Sequence, residues 1–204
     1  MSEQPSGGVD EEKRATLRRF AALGAVAPLA KLVDTDAQSD ARDAIAGYLS
    51  TTPGAHFSKI RDDLSLGTGE TQHHLRRLVE AGAIESFRDG EYRRYVPARR
   101  FSTFEKRTLG YLRRSTPRGM LIALLRDPDV TASALAEDLG VSRPTVSKYA
   151  KELDEAGLLS REDGYAVERP ETVLTLLIRH ADSFGAEAVA LAGEADALLR
   201  YDPR

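Results

Sequence analysis

The chain has 204 residues, of which 41% are hydrophobic and 30% are charged. This length allows one large or two small domains, and the composition is typical of a water-soluble protein with a real core. There is no cysteine, which excludes disulfides, thiolate metal sites and cysteine nucleophiles. The net charge of −3 is unevenly distributed: residues 70–114 carry 11 Lys or Arg and 6 Asp or Glu, whereas residues 162–204 carry 4 and 9. A basic middle region is what an anion-binding surface requires.

The N-terminal segment predicts disorder followed by a helix. Residues 1–10 (MSEQPSGGVD) lack the apolar residues that ordering needs, and residues 11–36 place Leu17, Phe20 and Leu23 at helical spacing. The pair Arg18-Arg19 before an apolar run faintly resembles a twin-arginine export signal. Lys31 closes that run after about ten residues, too few to span a bilayer. We therefore expect a cytoplasmic protein without a membrane partner.

An internal repeat follows in the chain. A shift of 75 residues, without a gap, aligns eight apolar or glycine positions. They are Ile45 with Met120, Leu49 with Leu124, Ile60 with Leu135, Leu64 with Leu139, Leu66 with Val141, Leu78 with Leu153, Gly82 with Gly157 and Ile84 with Leu159. The sequence therefore predicts one structural unit present twice.

Each repeat predicts three helices and then a hairpin. The third helix of each ends at a glycine, Gly82 or Gly157, which suits a left-handed cap. An Asp-Gly turn between alternating apolar residues follows in both repeats, at Asp89-Gly90 and Asp163-Gly164. This order predicts a mainly α fold with small β-hairpin wings (α+β): two tandem winged helix-turn-helix domains with flanking helices.

The stretch LGVSRPTVSKYAKELDEAGLL resembles the helix-turn-helix of bacterial and archaeal winged-helix regulators of the ArsR and MarR kinds, and TQHHLRRLVEAGAI with RDGEYRRYVP resembles the ArsR version with its wing. The resemblance covers about residues 40–98 and 117–170, and the whole is similar to the two-winged-helix regulators of archaea, especially halophilic ones. It implies binding to promoter DNA, often as a homodimer. The predicted domains are a first winged helix at 37–98, a basic, partly helical linker at 99–116, a second winged helix at 117–169 and C-terminal helices at 170–204 that could dimerise.

The third helix of the second repeat carries the clearer DNA-contact pattern. Its apolar positions predict an inward face, and no acid occurs from residue 140 to 151. Short hydroxyls with Arg and Lys suit phosphate anchoring and guanine contacts. The predicted contacts are Ser142, Arg143, Thr145, Ser147, Lys148 and Lys151.

The first repeat predicts contacts from its helix and from its wing. The helix offers Thr68, Thr71, Gln72, His73 and Arg76, and the wing offers Arg88, Arg93 and Arg94, interleaved with tyrosines.

The adjacent His73 and His74 suggest a metal site, but neighbouring helical residues point in different directions and a third ligand is missing nearby. We expect no metal and no cofactor. The linker arginines either lie along a phosphate backbone or are simply solvated.

The sequence favours a DNA-binding regulator, with a repressor expected, over two other classes. An architectural or scaffold winged-helix protein would expose apolar or acidic faces, and a membrane-tethered regulator would need a longer apolar run. Enzymatic motifs are missing: GTGE at 67–70 lacks the lysine of a P-loop, and neither a Gly-x-Ser-x-Gly nor a His-Glu-x-x-His motif occurs.

Overall fold

The computed structural model describes residues 15–22 and 36–195, with side chains described from residue 40 in the second range. The chain divides into two compact units, Met1–Phe101 and Ser102–Arg204. The predicted disorder of residues 1–10 lies outside the described residues, as does most of the predicted helix at 11–36.

The first unit is a helical core with a three-stranded antiparallel sheet. Its elements are α1 (15–22), α2 (Asp36–Thr51), β1 (Ala55–His56), α3 (Phe57–Asp63), α4 (Thr68–Glu80), β2 (Ile84–Asp89) and β3 (Tyr92–Pro97). The strand order is β1-β3-β2, so β3 has a partner on both sides. Arg88 lies opposite Arg93, Asp89 opposite Tyr92 and His56 opposite Arg94. Strand β1 lacks an alternating pattern of its own because it has only two residues, and the sequence did not predict it.

Apolar side chains at helical spacing form the core of this unit. Ile45 and Leu49 of α2, Ile60 of α3 and Leu78 of α4 are fully buried against one another. From the short helix α1, Leu17 and Phe20 pack on the same core. The Phe20 ring meets the Tyr48 ring edge-on, with centroids 5.3 Å apart. The described part of the N-terminal helix therefore covers the first unit.

The second unit repeats the three helices and the hairpin, without a counterpart of β1 among its described strands, and adds helices at both ends. Its elements are α5 (Thr103–Leu112), α6 (Ser115–Arg126), α7 (Ala132–Asp138), α8 (Arg143–Glu155), β4 (Leu159–Ser160), β5 (Ala166–Val167), α9 (Pro170–Arg179), α10 (Ala181–Phe184) and α11 (Ala186–Gly193). The bounds of α3 and α7, and of α4 and α8, differ by the predicted 75 residues. The prediction of two tandem winged helix-turn-helix domains is confirmed.

The C-terminal segment, predicted to be helical, is interrupted by a glycine. Gly185, with a φ of 106°, separates the short α10 from α11, which makes three helices within the described residues. Val173 and Leu177 of α9, and Ala188 and Leu191 of α11, are buried in the core of the second unit. These helices therefore complete that core. Dimerisation through them remains a prediction.

The predicted basic linker at 99–116 contains α5, and this helix is part of the second unit. It packs on α6 and α9, and Thr108, Leu109 and Leu112 are fully buried. Its start is capped by Ser102, whose Oγ accepts a hydrogen bond from the Glu105 N–H at 3.3 Å. The helix is therefore held by apolar packing and is not a solvated connector.

Candidate nucleic-acid interface

Helix α8 presents a polar face to solvent because its apolar residues recur at helical spacing. Val146, Ala150 and Leu153 are fully buried, which fixes the rotation of the helix about its axis. The helix begins after Ser142, whose Oγ accepts a hydrogen bond from the Thr145 N–H at 3.3 Å. The opposite face is therefore fixed in orientation and open to a ligand.

The predicted contact residues of the second repeat lie on that face. Ser142, Arg143, Ser147, Lys148 and Lys151 are exposed, and Thr145 is half-buried. The two lysines lie near acids one turn further along: Lys148 Nζ is 3.8 Å from Glu152, and Lys151 Nζ is 3.6 Å from Glu155. Both lysine side chains are 68% exposed, so these ion pairs are weak and can be exchanged for phosphate. Within the described part of the chain, Arg143 has no ion pair.

The corresponding helix of the first unit, α4, exposes four of the five residues predicted on it. Thr68, Gln72, His73 and Arg76 are exposed. Thr71 is fully buried, and its hydroxyl donates to the Gly67 carbonyl at 2.9 Å. Position 71 lies one turn before Leu75 on the inward face, so the prediction that Thr71 contacts phosphate is withdrawn.

The first wing places two arginines opposite each other. Arg88 of β2 and Arg93 of β3 are direct cross-strand partners, and both are exposed. Like charges in this arrangement destabilise a hairpin. Two contacts of Arg93 partly offset this repulsion: its Nε donates to Ser86 Oγ at 3.0 Å, and its guanidinium lies 5.8 Å from the centre of the Tyr95 ring. A bound anion would relieve the repulsion directly.

Arg94 is the second correction to the predicted contacts. Its side chain is 3% exposed, and its Nε donates to Oδ2 of Asp89. Its NH1 group donates to the Gly54 carbonyl at 3.0 Å. The alternation along β3 turns Arg94 toward the sheet face that holds His56 of β1. Because both ends of the guanidinium are engaged inside the unit, we exclude Arg94 from the candidate interface.

The exposed residues of α4 and the wing meet in one cleft of the first unit. This cleft, of about 570 Å³, is lined on one side by Thr68, Gln72 and Arg76 of α4 and on the other by Arg93 of β3. Phe57, Leu75, Val79 and Tyr95 supply its apolar lining, and Glu80 its one acid. Residues 72 and 93, distant in the sequence, thus form one surface, which we call the α4–wing cleft.

The adjacent histidines lie in different environments. The His73 and His74 rings meet edge-on, with centroids 5.2 Å apart, and His74 is buried while His73 is exposed. Burial, followed by the nearby His73, lowers the pKa of His74 below its ordinary value. Among the residues the structure describes, no three His, Cys, Asp or Glu side chains are grouped as metal ligands would be.

Most of the linker arginines contact the second unit itself. Arg113 donates to the Ser183 carbonyl at 2.6 Å and lies 4.4 Å from the centre of the Phe184 ring. Arg107 donates to the Ala156 carbonyl at 3.4 Å, and Arg114 lies 3.6 Å from Glu152. These contacts hold α5 to α8 and α10, so neither predicted arrangement of the linker describes them.

The second wing is short, as its sequence indicates. Strands β4 and β5 have two residues each, and the turn between them exposes Arg161 beside Glu162 and Asp163. The mixed charge makes this turn a weaker phosphate ligand than the first wing.

One exposed side chain of the first wing was not among the predicted contacts. Tyr92 begins β3 and is 52% exposed. Its signal in the sequence was the alternation of Tyr and Arg at 92–95, which identifies a basic and aromatic strand but not which aromatic ring stays at the surface.

Comparisons with known proteins agree with this architecture. Residues 39–109 match a family described as an N-terminal HTH domain, and residues 113–160 match a family described as winged helix-turn-helix DNA-binding. An uncharacterized HTH-type transcriptional regulator of Methanocaldococcus jannaschii is 30% identical over 129 residues, which are 62% of this chain and 32% of the relative. The chain thus spans about a third of that relative's length. No solved structure matches. The chain carries two helix-turn-helix domains in tandem, each matched by a family of its own.

Proposed function

We propose that the protein is a transcriptional regulator that binds duplex DNA through the outer face of α8, the α4–wing cleft and the first wing. The observation that carries this proposal is the Arg88–Arg93 pair, two exposed cations held opposite each other on the wing. The arrangement costs stability in the free protein and favours a bound polyanion. The relative from Methanocaldococcus jannaschii, which is named as an HTH-type transcriptional regulator, supports the same function.

The surface of α8 supports direct contact with base edges. Arg143 lies in the first turn, where a recognition helix meets the major groove, and Ser147 and Lys148 follow on the same exposed face. Arginine binds guanine through two hydrogen bonds, and lysine and serine anchor phosphates. In α4, Gln72 and Arg76 have the chemistry to contact adenine and guanine. We infer that both helices contact DNA.

A regulator of this kind acts by occupying a promoter, and we propose repression as the outcome. Binding as a homodimer would double the number of groove contacts, and a DNA-binding role places the protein with the chromosome. The architectural alternative lacks a supporting observation, because the outer faces of α4 and α8 are polar and expose cations, Arg76 on α4 and Arg143, Lys148 and Lys151 on α8. No helix within the described ranges is long and apolar enough to cross a bilayer.

The salt dependence of DNA binding tests the proposal. Fluorescence anisotropy with labelled genomic duplexes, repeated at several salt concentrations, gives the slope of log affinity against log salt. Contact with about six phosphates predicts a slope of about −5. The variant Arg179→Ala removes an exposed arginine of α9 outside the proposed interface and should bind as the wild type does. Absence of binding to any genomic duplex at low salt would refute the proposal.

A further inference from the structure

Tyr92 is an aromatic residue that the fold keeps at the surface. It lies beside the turn of the first wing and is 52% exposed. Large hydrophobic side chains are otherwise buried or half-buried in the described part of the chain, apart from Val189. Leaving an aromatic ring in water sacrifices the stabilisation that its burial would supply. An exposed ring indicates contact with a partner when the protein also holds that ring rigidly.

Two side chains hold the Tyr92 ring in place. The His56 ring of β1 stacks on it, with centroids 5.0 Å apart and planes inclined by 24°. The guanidinium of Arg94 lies 5.3 Å from its centre. Both partners are anchored: His56 Nδ1 accepts a hydrogen bond from the Lys59 N–H at 3.3 Å, and Arg94 donates to the Gly54 carbonyl. The tyrosine is therefore both exposed and ordered before any partner binds, which lowers the entropic cost of contact.

The charges around Tyr92 suit a polyanion. Its cross-strand partner Asp89 would repel phosphate, but Arg94 pairs with that carboxylate inside the unit. The next cross-strand pair is Arg88 and Arg93, both exposed, and alternation points this pair to the opposite face of the hairpin. If the edge of the wing enters the minor groove, the arginines face one phosphate backbone and Tyr92 faces the other. The uncharged ring then lies against a sugar of that second backbone.

We propose that Tyr92 is a DNA contact of the first wing, with its ring against a deoxyribose and its hydroxyl directed to the backbone or to the floor of the minor groove. His56 and Arg94 act as positioning residues that hold the ring. This inference rests on the proposed function, because it names a contact within the same DNA interface. It gives Arg94, which is too buried to touch DNA, an indirect role in binding.

The first test separates an uncharged contact from a charged one. Tyr92→Ala should weaken duplex binding about tenfold with the salt slope unchanged, because no phosphate charge is neutralised by tyrosine. Arg93→Ala should weaken binding and also reduce the size of the slope by about one. Tyr165→Ala, a tyrosine of the second wing, is the matched control and should bind as the wild type does. Far-UV circular dichroism checks the folding of each variant.

A fluorescent reporter shows whether the position meets DNA. The chain contains no tryptophan, so Tyr92→Trp creates a unique fluorophore. Added duplex should protect it from acrylamide quenching, whereas a tryptophan in the Tyr165→Trp variant should stay equally accessible. Unchanged affinity in Tyr92→Ala, or an unprotected tryptophan at position 92, would overturn the inference while DNA binding itself stands. If the wild type binds no duplex, the proposed function fails and this inference fails with it.

Two variants of His56 test its positioning role. His56→Asn keeps an acceptor for the Lys59 N–H but loses the ring, and His56→Phe keeps the ring but loses the acceptor. Positioning predicts weaker DNA binding for His56→Asn and near wild-type binding for His56→Phe. In the Tyr92→Ala background, His56→Asn should have no further effect. The opposite order would show that His56 acts only through the start of α3.

Discussion

Arg94 and Asp89 form an ion pair inside the first unit, where Nε of the arginine donates to Oδ2 of the aspartate and the two side chains are 3% and 8% exposed. The aspartate ends β2 directly before the wing turn and the arginine follows the turn on β3, so the pair joins the two strands near the tip of the wing. The NH1 group of Arg94 also donates to Gly54, which links the hairpin to the residue before β1. Arg94, which was predicted to contact DNA, instead stabilises the wing within the first unit.

Breaking this pair should destabilise the first unit strongly. Arg94→Met leaves a buried carboxylate without a partner, and we expect a loss of about 3–5 kcal/mol in the free energy of unfolding. Urea unfolding followed by far-UV circular dichroism measures the loss. Lys59→Met, which breaks the more exposed Lys59–Asp63 pair, should cost less than about 1 kcal/mol. The double variant Arg94→Met/Asp89→Leu should recover much of the lost stability, and equal costs for the two single variants would contradict the buried role of the pair.

The outer face of α8 should supply a measurable part of DNA binding. Arg143→Ala combined with Lys148→Ala should lower duplex affinity at least tenfold, because two cationic contacts are lost. The salt slope should shrink by about two. Anisotropy titrations at several salt concentrations measure both quantities. A double variant that keeps the wild-type slope would assign recognition to the first unit alone.

The Arg88–Arg93 pair of the first wing should lower the stability of the first unit and strengthen DNA binding. Arg88→Thr removes the like-charge repulsion with Arg93, so the first unit should become more stable by about 0.2–1 kcal/mol. The same change should weaken DNA binding because a phosphate ligand is lost. Thermal unfolding and anisotropy on one preparation test both effects. A variant that is both less stable and unimpaired in DNA binding would reverse the interpretation of this pair.

His74 should make the first unit sensitive to acid. Its pKa is lowered in the folded state, chiefly by burial, so the unfolded chain binds the proton more tightly. The neutral ring contributes stability that is fully present above the unfolded pKa of about 6.5 and is lost as the pH falls toward the folded pKa. Urea unfolding at several pH values should show this loss in the wild type and in His73→Leu, but not in His74→Leu. A pH dependence that survives in His74→Leu would assign it to another group.

Two glycines of the first unit should respond oppositely to alanine. Gly82 follows α4 with a φ of 66°, so Gly82→Ala should cost about 1 kcal/mol through left-handed strain. Gly69 lies within α4, and an added Cβ would meet no atom within 4 Å. Gly69→Ala should therefore raise stability by up to about 1 kcal/mol. Midpoints of urea unfolding compare the pair, and a loss of stability in Gly69→Ala would show contacts beyond those described.

The fold followed from local patterns because each pattern has a local physical cause. Leu78 and Leu153 recur at the same place in two copies of one amphipathic helix, and Gly82 and Gly157 end those helices in the left-handed conformation that glycine tolerates best. The exposure of the predicted α8 residues follows for the same reason, and their contact with DNA stays a prediction. Because Val146, Ala150 and Leu153 are buried, the residues on the opposite face of α8 lie at the surface.

In the first wing, local sequence patterns did not predict which side chains are buried. Alternation places Tyr92 and Arg94 on one face of β3, and in the structure the Arg94 guanidinium lies over the Tyr92 ring. Alternation cannot say which side chains on that face are buried, because groups from another segment enclose Arg94: its NH1 group donates to the Gly54 carbonyl, and His56 of β1 is its cross-strand neighbour. Thr71 was misplaced for a different reason. It lies one turn before Leu75 and aligns with Val146 of the second repeat, so helical spacing puts it on the inward face, and only its polar side chain favoured the surface.

By itself, the sequence determined the tandem winged helix-turn-helix plan, the register of the repeat and the polar face of α8, all of which follow from the spacing of apolar residues along the chain. Only the tertiary structure decided which charges are available to a ligand. It buries Arg94 against Asp89, leaves Arg88 and Arg93 exposed as a pair, and joins Arg93 to Gln72 and Arg76 in one cleft. The availability of a charge depends on neighbours contributed by distant segments, and those neighbours exist only once the strands and helices have packed.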